Sequence, residues 1–142
     1  MNRARIVAQA RTWIGTPYHH RASQRGAGAD CLGLICGLWQ ARYGPLPEAL
    51  PDYSPRWDEA GAEERLWAAL ARHLIPARTP ADGQVLLFRL QPRALAKHLG
   101  ISCARGCGFI HACPRAGVVE APLSQPWARR IVARFDFPPI SD

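Results

Sequence analysis

The chain has 142 residues, a formal net charge of +7 and 48% apolar residues. A chain of this length makes one packed domain, which buries roughly two-thirds of its unfolded surface. No run approaches the ~18 apolar residues of a membrane helix. Met1 to Gly15 alternate charged and apolar side chains, the opposite of an ordinary signal peptide. Of the 18 basic residues only Lys97 is not Arg, which fits either a solvated face or a polyanionic partner such as wall polymer or nucleic acid. Aromatics are not interleaved with Arg along any segment, so nucleic-acid modules are set aside. Five cysteines, an odd count without an export signal, make a disulfide framework a poor expectation.

In chain order, Ile6, Val7, Ala10 and Trp13/Ile14 have helical spacing, so Arg3 to Ile14 is predicted as a helix that Gly15-Thr-Pro17 stops. A polar, Gly-rich loop runs from Tyr18 to Ala29. Cys31 to Tyr43 reads as a largely buried helix with Leu32, Ile35, Leu38 and Trp39 inward, capped by Asp30 and ended by Gly44-Pro45. Pro45 to Pro55 is a wrapping loop, and Glu59 to Leu74 a third helix exposing Glu63, Glu64 and Arg72. After Pro76 the texture becomes short strands: Val85 to Leu90, Lys97 to Ala104, Gly108 to Ala112, Val118 to Ala121 and Arg130 to Phe135. Helices followed by strands give an α+β fold, with N-terminal helices on a five- to six-stranded antiparallel sheet and residues 1–142 as one domain.

Chemistry concentrates at two places. Ala29-Asp-Cys31 sets a cysteine in the first turn of a helix after a Gly-rich loop. Amides and dipole at a helix N-terminus lower a thiol pKa from about 8.5, and small Ala29 and Gly33 let another chain approach. A buried cysteine acting as a small hydrophobe is the commoner case. Downstream, His98 and His111 occupy successive strands whose alternate residues are apolar, so antiparallel pairing holds both imidazoles on one sheet face. A thiol nucleophile needs a base, and the base an orienting group on its other nitrogen; Cys31, His98 and His111 fill those roles without a metal or cofactor.

These segments resemble the NlpC/P60 family of papain-like peptidases that cleave peptidoglycan stem peptides. Gly15-Thr-Pro-Tyr18, Asp30-Cys-Leu-Gly-Leu34, Asp82-Gly-Gln-Val-Leu-Leu-Phe88, His98-Leu-Gly-Ile101 and Ile110-His-Ala112 follow the family's motifs in order. The resemblance implies Cys31 as nucleophile, His98 as general base, His111 orienting His98, and Tyr18 lining the site. It implies Asp30 as helix cap in contact with site backbone, the Cys31 amide as oxyanion donor, and a bond between D-Glu and a diamino acid as target. It is nearest to tail-associated peptidases of phages and gene transfer agents. That implies a product made in the cytoplasm without a signal peptide, carried by tail or baseplate partners and acting in the wall or periplasm. Leu32 replaces the family's usual Ser, and Asp82 precedes Gly83 where the family has Gly-Asp.

Other residues have blander readings. Cys103, Cys107 and Cys113 have C-x3-C-x5-C spacing and would need Cys36, His111 or water as a fourth metal ligand, against core thiols or one incidental disulfide. His19 and His20 read as solvated loop residues, Trp57 and Trp67 as core cover. Arg21, Arg25, Arg129 and Arg130 are either stem-peptide contacts or a solvated face. The rival functions are an amidase or acyltransferase using the same triad, an idle structural tail or baseplate subunit, and a metal-stabilised binding module.

Overall fold

The computed structural model describes residues 2–48 and 64–140. Helix α1, Arg3–Arg11, buries Ile6, Val7 and Ala10, and Asn2 caps it by accepting from the Arg5 amide. The helix stops before Ile14, which is 44% exposed, while Trp13 turns inward. The expected helix overran because Trp13 packs from a turn instead: a Cβ on Gly37 would lie 2.2 Å from its ring.

The Gly-rich loop carries a small hairpin that periodicity does not reveal, β1 (Ser23–Gln24) with β2 (Gly28–Ala29). Helix α2 then spans Cys31–Tyr43 as expected, and the Asp30 carboxylate accepts from the Gly33 amide. Helix α3 is Arg65–His73, with Leu66 and Leu70 inward. Its expected start at Glu59, together with Glu63 and Trp57, lies outside the described residues. Trp67 packs partly buried against the core.

The remaining strands are β3 (Ile75–Pro76), β4 (Val85–Phe88), β5 (His98–Cys103), β6 (Gly108–Cys113), β7 (Gly117–Pro122) and β8 (Ile131–Asp136), with the short helix α4 (Gln125–Ala128) before β8. They form one six-stranded sheet in the order β3-β8-β4-β5-β6-β7, and every recorded pair is antiparallel. The fold is α+β.

Strand alternation gives the sheet two different faces. Val85, Leu87, Leu99, Ile101, Ile110 and Ala112 meet the helices in the main core. Leu86, Phe88 and Phe109 form a smaller cluster on the other face, beneath Leu123, Trp127 and Ile131. His98 and His111 have the parity of this second face. No helix among the described residues is long and apolar enough to cross a membrane.

Candidate active site

The site is built where α2 begins. The loop before it is pinned to the helix by Asp30, which is 3% exposed and whose two oxygens accept from the Gly33 and Arg21 amides, each at 2.7 Å. His20 Nδ1 lies 3.8 Å from the same carboxylate. Gly33 is needed at this contact, since a Cβ there would sit 1.8 Å from the Ala22 carbonyl oxygen. The chain that approaches the small residues is therefore the protein's own loop. Tyr18 bridges to Ala29 and comes into electrostatic range of Cys31.

Strands β5 and β6 pair from Ile101/Ile110 to Cys103/Gly108. Continuing that register sets Gly100 opposite His111 and makes His98 its diagonal neighbour on one face. A Cβ on Gly100 would meet the Phe109 ring at 2.9 Å and His111 Cβ at 3.4 Å, so glycine here lets β6 side chains lie across β5. The result is a direct bond, His98 Nε2 to His111 Nδ1 at 2.8 Å. His111 also stacks on Phe109, centroids 4.1 Å apart.

Cys31 meets β5 at the backbone that flanks His98. Its thiol donates to the Lys97 carbonyl at 3.5 Å, and the Leu99 amide also faces the sulfur. The sulfur is thus bracketed by the backbone on both sides of His98. Among the described hydrogen bonds none joins the thiol to an imidazole. His111 occupies Nε2 of His98, and His98 Nδ1 takes part in none of the described hydrogen bonds.

The electrostatics overturn one expectation. The helix start was expected to acidify Cys31, and the amides of Leu99, Leu32 and Cys31 do pull its pKa down. Burial, aided by the Asp30 carboxylate, wins and pushes the thiol up to about 12. Burial, then the neighbouring His111 and Lys97, depresses His98 to about 3; burial depresses His111 to about 4. At neutral pH the resting site holds a thiol and two neutral imidazoles. Burial also raises Tyr18, so its hydroxyl remains a donor.

These shifts predict acid sensitivity. Between the ordinary histidine value of 6.5 and the folded values of about 3 and about 4, the unfolded chain binds protons that the folded chain refuses. Stability is therefore complete above about pH 6.5 and is lost as pH falls through that window. One unit of differential protonation is worth about 1.4 kcal/mol, so a loss on the order of a few kcal/mol is expected by pH 4.5. Urea midpoints at pH 7 and 4.5 measure it, and a double His98→Gln, His111→Gln variant should flatten the difference.

The late cysteines do not converge. Cys103 is buried on the main-core side, Cys107 is exposed after a 3-10 turn, and Cys113 lies on the second face with its sulfur 3.4 and 3.6 Å from the His111 nitrogens. Such near-equal distances place the sulfur over the imidazole ring, in line with neither lone pair. Among the described residues no three His, Cys, Asp or Glu side chains are placed to hold a metal ion, and all five cysteines are free. Asp82 accepts from the Arg105 and Gly106 amides and so fixes the β5–β6 turn. Arg25 bonds Thr12, Arg129 bonds Gln125, and Arg130 bonds the Leu90 and Pro126 carbonyls.

No protein-family model matches the sequence, and no curated protein does. Solved structures do match. The NlpC/p60 domain of peptidoglycan hydrolase SagA is 23% identical over 96% of this chain and 100% of that one, with TM-score 0.63. This is the NlpC/P60 fold. An NlpC/P60 family protein from Bacillus cereus ATCC 10987 is 15% identical over 96% of this chain, with TM-score 0.67. A protein similar to lipoprotein, NLP/P60 family, from Staphylococcus aureus subsp. aureus Mu50 is 17% identical over 95%, with TM-score 0.60. This chain spans 40% and 41% of those two proteins. In the NlpC/P60 fold of this chain, the residue that sequence reasoning missed is Trp127. Its ring lies 5.5 Å from His98 and 5.3 Å from His111.

Proposed function

We propose that the chain is a single catalytic domain, a cysteine peptidase that hydrolyses peptidoglycan stem peptides, with the bond between D-Glu and a diamino acid as target. The observation that carries this reading is the 2.8 Å His98–His111 bond beside a thiol at the first turn of α2. The fold it occurs in is shared with a domain of a peptidoglycan hydrolase.

The thiol turns from the Lys97 carbonyl to His98, whose Nδ1 takes its proton as sulfur attacks the scissile carbonyl carbon. The Cys31 amide and the Tyr18 hydroxyl donate to the resulting oxyanion. The intermediate collapses, the C–N bond breaks, and imidazolium His98 returns the proton to the leaving amine. Water, deprotonated by His98, then cleaves the thioester and restores the thiol. His111 holds His98 through Nε2 and keeps Nδ1 directed to sulfur. A phage-like tail or baseplate as carrier follows from the motif resemblance and belongs to the same proposal.

Digestion of peptidoglycan, with fragments read by mass spectrometry, tests the activity. Wild type is expected to release new stem-peptide ends at D-Glu, and Cys31→Ala none. Equal fragments from both proteins would remove Cys31 as nucleophile. No fragments from wild type, alone or in an assembled particle, would favour a structural subunit.

A further inference from the structure

His98 and His111 lie on the sheet face opposite the main core that packs α1, α2 and α3. There the imidazole pair needs another cover, and among the described residues one other ring, that of Trp127, touches both. Trp127 sits in α4, a single turn in which Pro126 follows the Ser124 cap position. Its indole lies 5.5 Å from His98 at an interplanar angle of 36°, and 5.3 Å from His111 at 73°. It also touches Phe88 at 5.4 Å and Phe109 at 5.1 Å, the two rings that flank the pair from β4 and β6. The indole therefore spans the dyad, lying partly over one imidazole and edge-on to the other.

We infer that Trp127 is a positioning residue for the His98–His111 pair, holding both rings in the plane that aims His98 Nδ1 at the Cys31 thiol and keeping water off them. The inference rests on the reading of His98 as the base. A histidine side chain turns freely about two bonds, and one hydrogen bond to His111 leaves rotation about that axis open. Phe88 bounds His98 from β4, with centroids 5.6 Å apart, and Trp127 bounds it from α4. The backbone supports this placement: the Arg130 guanidinium bonds the Leu90 and Pro126 carbonyls, tying α4 to the end of β4. A base misplaced by about 1 Å costs about 10²-fold in rate.

Among the described residues, the charged and titratable groups beside the pair are His111 and Lys97, which act on His98, and Cys113, whose sulfur lies against His111. Arg129 and Arg130 at the end of α4 are engaged with Gln125 and with main-chain carbonyls.

The test uses the full chain as wild type, Trp127→Ala and Trp127→Phe, with the histidine ring protons titrated by NMR and kcat and KM measured against pH. Folding is confirmed for each by urea denaturation, and Trp127→Leu replaces the alanine variant if that one does not fold. Opening the cover admits water, so the histidines of Trp127→Ala are expected to titrate at higher pH than in wild type. Its kcat should fall about 10²-fold with KM little changed, while Trp127→Phe keeps both titrations and most of the rate. Unchanged titrations in Trp127→Ala, or a phenylalanine variant as impaired as the alanine one, would overturn the inference. Failure of the peptidase reading looks different: no form cleaves peptidoglycan, while the titrations still decide the role of Trp127.

Discussion

Replacing His98 by alanine is expected to lower stem-peptide cleavage by roughly 10²–10⁴-fold, near the upper end of that range. The reason lies in the resting charge state. With burial pushing the thiol up to about 12, the thiolate is scarce at pH 7. On the proposed mechanism nearly every turnover must therefore begin with proton transfer to a base, the role proposed for His98. Alkylation of Cys31 by iodoacetamide reads the same property without substrate. Its rate in wild type should climb about tenfold per pH unit from pH 6 to 9, with no acid plateau. A thiol that alkylates as fast at pH 5 as at pH 8 would mean a resting thiolate–imidazolium pair, and the general-base account would fail.

The second large effect is structural. In Gly33→Ala the new methyl would stand 1.8 Å from the Ala22 carbonyl oxygen and 3.0 Å from Asp30 Oδ1. The obstacle is backbone, and it is held in place: the Asp30 amide donates to that carbonyl, and the Ser23 hydroxyl donates to the Gly33 carbonyl. Either α2 or the 21–24 loop must move, and the Asp30 cap with its bond to the Arg21 amide goes with it. A loss of about 3 kcal/mol or more is expected, the range of severe core lesions, together with loss of cleavage because Tyr18 is carried on the same loop. Urea denaturation measures the first. A variant as stable as wild type would show that the loop contact is not tight.

Much of this was legible in the sequence, for identifiable reasons. Helix α2 was fixed at both ends by Asp30 and Gly44-Pro45, and the strands after Pro76 by alternation and by Gly and Pro between them. The pairing of His98 with His111 followed from parity on adjacent strands. What escaped had no periodic signal. The two-residue strands Ser23–Gln24, Gly28–Ala29 and Ile75–Pro76 are too short for alternation to register. Trp127 sits in one turn of helix, where only the Ser124-Gln-Pro126 start was available as a cue. The direction of the Cys31 shift escaped because a helix terminus is visible in sequence, whereas burial depends on how loop and sheet close over the sulfur.

The order β3-β8-β4 places the last strand of the chain in the interior of the sheet. Strand β8 pairs with β4 on one side and β3 on the other, and its end residue Asp136 binds Arg3 in α1 at 3.1 Å across 133 positions. During synthesis, β4 can pair with β5 at once, but β3 and the other edge of β4 stay unpaired until residues 131–136 have left the ribosome. Such long-range pairing makes for slow folding. A chain interrupted before Ile131 would still pair β5 with β6 and so hold His98 beside His111, but on a sheet whose β4 edge is open and whose β3 has no neighbour.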